Sequence, residues 1–239
     1  MYNNYIFDLY GTLVDIHTNE NSKTVWDKLA LFYSFNGAYY NGKDLKNSYR
    51  RKVKEKQLAI NITKYPDFPI EEVFKSIFED KEIRASEEII KTVAQMFRVL
   101  SIKYIKLYDG AIELLDKLKA RKKKIYLLSN AQRIFTLYEL KLLGIYDYFD
   151  GTYFSSDHYV CKPDAVFYNK ILKEFKIDIN NSIMIGNDFI ADIEGACNVG
   201  LDSLYIESNL SPKVTRSLKS KYNILDGDVN KISELIIEN

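Results

Sequence analysis

Short apolar runs alternate with segments of helical periodicity along most of the chain. Runs of this kind are typical of strands buried on both faces, and apolar residues repeating every three or four positions are typical of amphipathic helices. The predicted strands cover residues 5–7, 124–128, 149–154, 182–185 and 202–206, and the predicted helices between them cover residues 111–120, 135–143, 166–175 and 191–199. A last strand–helix pair begins at Tyr222. This alternation predicts an α/β fold with a doubly wound, Rossmann-like parallel sheet.

Residues 21–104 interrupt the alternation with helical periodicity alone. After a first helix, three more are predicted at residues 42–60, 69–79 and 86–104. An insert of about 80 residues far exceeds the 2–6-residue loops usual in such sheets. We therefore predict two domains: an α/β core formed by residues 1–20 and 105–239, and an all-helical domain formed by residues 21–104.

The charges are balanced, with 34 Lys and Arg against 33 Asp and Glu. This balance gives no electrostatic reason to expect nucleic acid or an anionic membrane as a partner. The uncharged stretch at residues 29–42 is shorter than the roughly 20 apolar residues that span a bilayer. The first residues predict a strand instead of a signal peptide. We expect a cytoplasmic protein whose partner is a small molecule, and the sequence leaves its oligomeric state open.

A carboxylate ends the first predicted strand. Asp8 follows apolar residues 5–7 and precedes a turn at Gly11. The carboxyl end of a parallel strand opens onto the crevice where α/β sheets bind ligands, so Asp8 is predicted to be a nucleophile. The alternative is that Asp8 only caps the turn. Thr12 is predicted to bind substrate beside it, with simple turn capping as its alternative.

Later strands also end in polar residues. Ser129 and Asn130 follow a strand and precede a helix, so a hydroxyl and unpaired backbone N–H groups are predicted to bind the substrate's anionic group. Helix capping is a compatible role for both. Lys162 stands just before a helix that begins at Pro163, and it would offset the negative charge of nucleophile and substrate, although a lone lysine is usually solvated.

Asp188 and Asp192 are four residues apart after a further strand. That spacing places both on one face of a helix, and near Asp8 the carboxylates would repel one another unless a cation lay among them. Magnesium prefers carboxylate and water oxygens, often completed by a substrate phosphate, so Mg²⁺ is the predicted cofactor. The alternative is a helix amino terminus stabilised by two acids.

In chain order these features resemble the haloacid dehalogenase-like (HAD) hydrolase superfamily. Its four ordered motifs are matched by Asp8, Ser129, Lys162 and residues 186–192, so the resemblance covers nearly the whole chain. It implies a Rossmann-like core and Asp8 as a covalent nucleophile. It also implies that the helical insert is a cap that closes over the active site, excludes water and selects the substrate.

Two positions depart from the pattern of the superfamily's phosphatases. Tyr10 stands two residues after the nucleophile, where those enzymes usually carry an aspartate as general acid and base. The resemblance thus gives Tyr10 a catalytic and metal-site position, but a phenol is a poor base at neutral pH. Asn187 stands where many members place a metal-binding aspartate. Asp188 is the candidate substitute, and the sequence leaves open which of these two residues meets the metal.

Tyr10 instead matches the haloacid dehalogenase branch, as does Tyr168, six residues after Lys162. Dehalogenation needs no general acid, because a halide leaves without a proton. Against this branch, the acid pair resembles a metal site, which dehalogenases do not use. The helical domain would also have to supply an arginine for the haloacid carboxylate. Arg50 and Arg51 are the candidates, and solvated surface charge is the alternative for both.

Three functions are consistent with these residues. The leading one is a magnesium-dependent phosphatase that acts on a small phosphorylated metabolite through Asp8. The second is a metal-independent 2-haloacid dehalogenase. The third is a binding or regulatory protein that keeps the fold but has lost fast turnover because Tyr10 replaced the acid.

Overall fold

A computed structural model describes residues 2–237. Its strands are β1 (Asn4–Phe7), β2 (Val14–Thr18), β3 (Ile102–Leu107), β4 (Lys124–Ser129), β5 (Gly151–Phe154), β6 (Ser182–Gly186), β7 (Asp202–Ile206) and β8 (Tyr222–Ile224). Six of these strands form a parallel sheet in the order β5-β4-β1-β6-β7-β8, and β2 pairs with β3 in a separate antiparallel ribbon. The predicted α/β fold with a parallel, doubly wound sheet is confirmed.

Helices connect and flank the strands. They are α1 (Lys23–Phe35), α2 (Gly42–Ala59), α3 (Glu71–Glu79), α4 (Glu87–Ser101), α5 (Ala111–Ala120), α6 (Arg133–Leu142), α7 (Ser155–His158), α8 (Ala165–Glu174), α9 (Gly195–Asn198) and α10 (Asn230–Ile236). The helix predicted at residues 191–199 begins two residues earlier, in a π-helical segment, Phe189–Glu194, that leads into α9. Single π-helical turns of this kind are frequent at functional sites. Within residues 2–237, none of the helices combines the length and apolarity needed to cross a bilayer.

Strand β1 lies in the middle of the sheet, between β4 and β6. From β1 the chain builds the sheet outward through β4 and β5, and then returns to the other side of β1 to form β6. This reversal is the topological switch point at which open α/β sheets form a ligand crevice beyond the carboxyl ends of their strands. The residues that follow β1, β4 and β6 therefore meet at one place.

Both faces of β1 are buried, which explains its unbroken apolar run. Tyr5 and Phe7 pack with α5 and α10 on one face, whereas Ile6 packs with α8 on the other. Successive strand residues point to opposite faces, so a strand covered by helices on both sides must be apolar at every position. This packing fixes the direction in which the chain leaves the sheet at Asp8.

Helices α1–α4 share an apolar core, which includes Trp26, Phe74 and Phe97 and extends to Phe135 of α6. The predicted helix at residues 86–104 was too long, because α4 ends at Ser101 and the chain continues as β3. Residues of β3 favour a strand through their β-branched and aromatic side chains, and the pairing with β2 supplies their hydrogen bonds. The ribbon of β2 and β3 thus joins the helical insert to the sheet at both ends.

Candidate active site

A buried lysine joins two carboxylates at the crevice. Lys162 Nζ donates to Asp8 Oδ1 and to Asp192 Oδ1, each at 2.7 Å. The side chains of Lys162 and Asp192 are 1% exposed, and that of Asp8 is 12% exposed. The structure therefore brings together three predicted site residues that lie far apart in the chain.

Burial and charge act against each other in this group. Burial raises the pKa of Asp192 to about 7, although Lys162 opposes the change. Burial alone would lower the pKa of Lys162, but Asp192 and Asp8 outweigh it and raise that pKa. Lys162 therefore keeps its positive charge at neutral pH, and it holds one oxygen of the predicted nucleophile in a fixed position.

The acid pair also organises the backbone around it. Asp192 Oδ2 accepts a hydrogen bond from Asp188 N at 2.9 Å. Asp188 Oδ1 accepts from Ile190 N at 2.8 Å and from Ala191 N at 2.9 Å, so Asp188 caps the π-helical segment. Tyr168 supports the same segment from behind, because its hydroxyl donates to the carbonyl oxygen of Ala191 at 2.8 Å. Asp188 therefore both caps the π-helical segment and lines the cavity.

Ser129 and Asn130 lie at the end of β4 and line the same cavity. The Ser129 hydroxyl is buried and has no hydrogen-bond partner in the described protein. A buried hydroxyl without a partner is unfavourable unless a ligand satisfies it, so Ser129 is suited to bind a substrate oxygen. Asn130 has a supporting position: its Nδ2 donates to Lys162 O at 3.0 Å, and its Oδ1 accepts from Lys162 N at 2.8 Å.

Thr12 lies behind the cavity and not in its wall. Its side chain is buried, and its hydroxyl donates to Asn187 Oδ1 at 3.4 Å. Gly11 packs against the same asparagine with a positive φ of 89°, and a Cβ there would lie 2.2 Å from Asn187 Nδ2. The turn after Asp8 is therefore held against Asn187, and substrate binding by Thr12 stays a prediction.

Tyr10 borders the cavity, but its hydroxyl is bound elsewhere. The hydroxyl donates to Glu139 Oε2 and lies 3.0 Å from Thr136 Oγ1, both on α6. Arg98, at the end of α4, forms an ion pair with Glu139 and lies over the Tyr10 ring. Burial, and then the charge of Glu139, raise the pKa of Tyr10. Neither Arg98 nor Glu139 stood out in the sequence, because charged residues on helices are usually solvated.

The cavity has a volume of about 170 Å³. Besides Asp8, Lys162 and the acid pair, its wall includes Leu210 and Pro212 from the segment after β7. The sequence analysis missed these two residues because they lie four and six positions after the end of β7, and neither side chain carries a chemical group that marks a site. In the described part of the chain, all residues of the wall come from the parallel sheet and the segments that follow its strands, and none comes from α1–α4.

The two arginines proposed for a haloacid carboxylate lie away from this cavity. Arg50 Nη2 donates to Asn21 Oδ1 at 2.6 Å. Arg51, on the exposed face of α2, pairs with Glu55 of the same helix and with Asp80 at the end of α3. The structure therefore favours the alternative interpretation of these two residues as surface charge, because exposed lysine and arginine residues on a helix commonly pair with neighbouring acids.

The carboxylates of the site suit a magnesium ion whose coordination would be completed by the substrate. Among residues 2–237, no group of three or more His, Cys, Asp and Glu side chains is placed to hold a metal by itself. Magnesium does not require one, since it is often held by one or two carboxylates together with waters and phosphate oxygens. Asp8 and Asp188 both border the cavity, and the protein's hydrogen bonds use only Oδ1 of each. Their Oδ2 atoms would be the protein's ligands.

The fold is a doubly wound α/β sheet, and the lysine and carboxylates of the candidate site lie at the end of its middle strand. A model of the haloacid dehalogenase-like hydrolase family matches residues 2–200. The chain belongs to this family, as the order of its motifs predicted.

Its relatives include named phosphatases. The pyrimidine 5'-nucleotidase PynA of Streptococcus pneumoniae is 25% identical over 199 residues, which cover 73% of this chain and 83% of that protein. The glyceraldehyde 3-phosphate phosphatase of Pyrococcus abyssi is 26% identical over 104 residues, which cover 44% of each protein.

Solved structures share the fold over nearly the full length. A 2-haloacid dehalogenase from Pseudomonas syringae has a TM-score of 0.65 at 18% identity, and the match covers 100% of this chain and 99% of that one. The magnesium-bound HAD-hydrolase YfnB from Bacillus subtilis has a TM-score of 0.58 at 18% identity, with 98% of both chains covered. At such low identity this likeness shows the fold alone.

Proposed function

We propose that the protein is a magnesium-dependent phosphatase that acts on a small phosphorylated metabolite through a phosphoryl group carried on Asp8. The observation that carries this proposal is the charge of the site. Three carboxylates, on Asp8, Asp188 and Asp192, border a cavity that holds one ammonium group, on Lys162. A phosphate dianion would be repelled from this excess of negative charge unless a divalent cation entered with it.

In the proposed reaction, an oxygen of Asp8 attacks phosphorus and the leaving group departs. Lys162 orients Asp8 through the 2.7 Å hydrogen bond to Oδ1, and the unpartnered hydroxyl of Ser129 donates to a phosphate oxygen. Magnesium, held by Asp8 and Asp188, would offset the charge of the transferred group. Water then attacks the phosphorus on Asp8, which releases phosphate and restores the carboxylate. The phosphatases among the relatives support this choice of reaction.

The test is phosphate release from a panel of small phosphate compounds. We expect release in the presence of Mg²⁺, loss of release when EDTA is added, and recovery with excess Mg²⁺. Asp8→Asn should reduce release to the level without enzyme. Asp15→Asn is a matched control, because Asp15 is a buried carboxylate of the β2–β3 ribbon that hydrogen-bonds Tyr104 and Asn209 instead of Lys162. Equal rates for the wild type and Asp8→Asn, or rates unaffected by EDTA, would contradict the proposal.

A second candidate, 2-haloacid dehalogenation, is favoured by one observation. Tyr10 stands where phosphatases of the superfamily carry an acid, and its hydroxyl is bound to Glu139. Chloride release from 2-chloropropionate that depends on Asp8 and persists in EDTA would establish this function in place of the first. Absence of chloride at high enzyme concentration would exclude it.

A further inference from the structure

The proton of the Tyr10 hydroxyl is directed away from the reaction site. The hydroxyl donates it to Glu139 Oε2, so the 3.0 Å contact with Thr136 must be a hydrogen bond donated by Thr136. Arg98 holds Glu139 in place, with Nε 2.5 Å from Oε1 and Nη2 3.3 Å from Oε2. Thr136 and Glu139 are buried, at 1% and 5% exposed. The hydroxyl of Tyr10 is therefore satisfied both as donor and as acceptor by protein groups.

The oxygens of the other acidic groups of the cavity either accept hydrogen bonds or are the oxygens proposed above to bind magnesium. Asp192 accepts from Lys162 through Oδ1 and from Asp188 N through Oδ2. Asp188 Oδ1 accepts from two backbone N–H groups, and its Oδ2, like that of Asp8, would be bound to magnesium and would carry no proton. Lys162 donates to both Asp8 and Asp192. Along the described wall of the cavity, no carboxylic acid or imidazole is thus held with a proton directed at a departing group. The hydroxyl of Ser129 can donate a hydrogen bond, but a serine hydroxyl is too weak an acid to give up its proton.

We propose that this site acts on phosphate compounds whose leaving group departs as a stable anion, acyl phosphates above all, and that it acts poorly on alkyl phosphate esters. The inference rests on the proposed phosphatase function and narrows its substrate class. It also distinguishes this chain from its nucleotidase relative, because a nucleoside 5'-phosphate has an alkoxide leaving group.

The bond changes of the first step explain this preference. An oxygen of Asp8 forms a bond to phosphorus, and the bond from phosphorus to the leaving oxygen breaks. The leaving oxygen keeps the electron pair. A carboxylate leaving group is stable in that form, whereas an alkoxide requires a proton that Tyr10 cannot supply. In the second step water adds to phosphorus, Asp8 leaves as a carboxylate, and the proton of the water passes to phosphate or solvent.

The size of the cavity agrees with a small acyl group. Its volume of about 170 Å³ is below the roughly 300–1,000 Å³ of pockets that enclose drug-sized ligands. Leu210 and Pro212 in its wall offer apolar contact to a short carbon chain.

The test compares kcat/KM for acetyl phosphate, a series of aryl phosphates with phenols of different acidity, and the alkyl ester glycerol 3-phosphate. The ratio kcat/KM is the correct quantity, because it reports the steps up to departure of the leaving group. By contrast, kcat can report slow hydrolysis of the phosphoryl group on Asp8. We expect kcat/KM to fall steadily as the leaving group becomes more basic, with the alkyl ester lowest.

Two variants of Tyr10 sharpen the comparison. Tyr10→Asp supplies the missing acid and should raise kcat/KM for glycerol 3-phosphate by about 10²–10⁴-fold, with a much smaller change for acetyl phosphate. Tyr10→Phe removes the hydroxyl without adding an acid, and it should keep the wild-type ratio of the two kcat/KM values. The aryl phosphate series needs no variant, so the inference stays testable if Tyr10→Asp does not fold.

Two results would overturn the inference while phosphatase activity stands. One is a kcat/KM for glycerol 3-phosphate equal to that for acetyl phosphate, and the other is a Tyr10→Phe variant that loses activity on the alkyl ester alone. Failure of every compound, acetyl phosphate included, to release phosphate in an Asp8-dependent reaction would instead overturn the proposed function, and the inference with it.

Discussion

Removing Glu139 should destabilise the contact between the helical insert and the sheet domain. Arg98 and Glu139 form an ion pair between α4 and α6, with side chains only 14% and 7% exposed. Glu139→Ala leaves the guanidinium of Arg98 without its carboxylate, and it leaves the Tyr10 hydroxyl without its acceptor. Breaking one side of a buried ion pair costs about 3–5 kcal/mol. Arg98 keeps its contact with the Phe135 ring, so we expect the low end, about 3 kcal/mol.

Urea unfolding measures this loss through two probes. Trp26, the single tryptophan, is buried among α1–α4, so its fluorescence reports unfolding of the insert. Circular dichroism reports unfolding of the whole chain. With an m-value of about 3 kcal/mol/M, the midpoint should fall by about 1 M.

Two controls distinguish the effect of breaking this buried ion pair from the effect of breaking an ion pair on the surface. Glu55→Ala breaks an exposed ion pair with Arg51, whose side chains are 54% and 53% exposed, and it should change the free energy of unfolding by less than about 1 kcal/mol. Replacing both partners, as Arg98→Met with Glu139→Leu, should restore most of the loss. A loss for Glu139→Ala no larger than that for Glu55→Ala would refute the reasoning.

Two further predictions concern titratable side chains. Burial, and then the charge of Asp67, raise the pKa of Cys161 to about 12, whereas Cys197 is exposed. At pH 8 only about 10⁻⁴ of Cys161 is thiolate, so one thiol should react quickly with Ellman's reagent in the native protein and two in urea; a fast phase that survives Cys197→Ser would contradict this. Burial also lowers the pKa of His158, so the unfolded chain takes up this proton first, and the free energy of unfolding should fall as the pH drops below about 6.5. Urea midpoints between pH 7.5 and 5 test this, because His158→Phe, which keeps a ring against Tyr153, should weaken the decline; an equal decline in both proteins would contradict it.

The sheet could be predicted because its signals are local. A strand covered on both faces must be apolar throughout, and residues 5–7 and 183–185 meet that condition in the sequence itself. The positions of Asp8 and Ser129 follow directly, since the carboxyl ends of parallel strands share one edge of the sheet. Lys162 could be named as a candidate from its place before a helix, and the family resemblance strengthened that choice, but its contact with Asp8 depends on a distance that no local pattern encodes.

The partners of Tyr10 could not be predicted, for the opposite reason. Tyr10 and Glu139 are 129 positions apart, and their contact depends on how α6 packs beside the turn after β1. The ribbon was missed because β2 and β3 pair with each other across the whole helical insert, so the backbone hydrogen bonds of each strand depend on a distant part of the chain. Arg98 was passed over for Arg50 and Arg51, since burial, the property that distinguishes it, arises only after folding.

The proposed function predicts that magnesium and phosphate bind together. Of the four residues predicted to hold the metal, Asp192 has both oxygens occupied by Lys162 and Asp188 N, and the Tyr10 hydroxyl is bound to Glu139. Asp8 and Asp188 are left as ligands, and two carboxylates are few for an ion that prefers six oxygens. Phosphate would supply some of the others, and the ion would remove the repulsion that phosphate meets. Because such coupling is reciprocal, titration calorimetry should find weak binding of Mg²⁺ alone, and inorganic phosphate should strengthen that binding by the same factor by which Mg²⁺ strengthens the binding of phosphate. Independent binding of the two would show that they do not share the site.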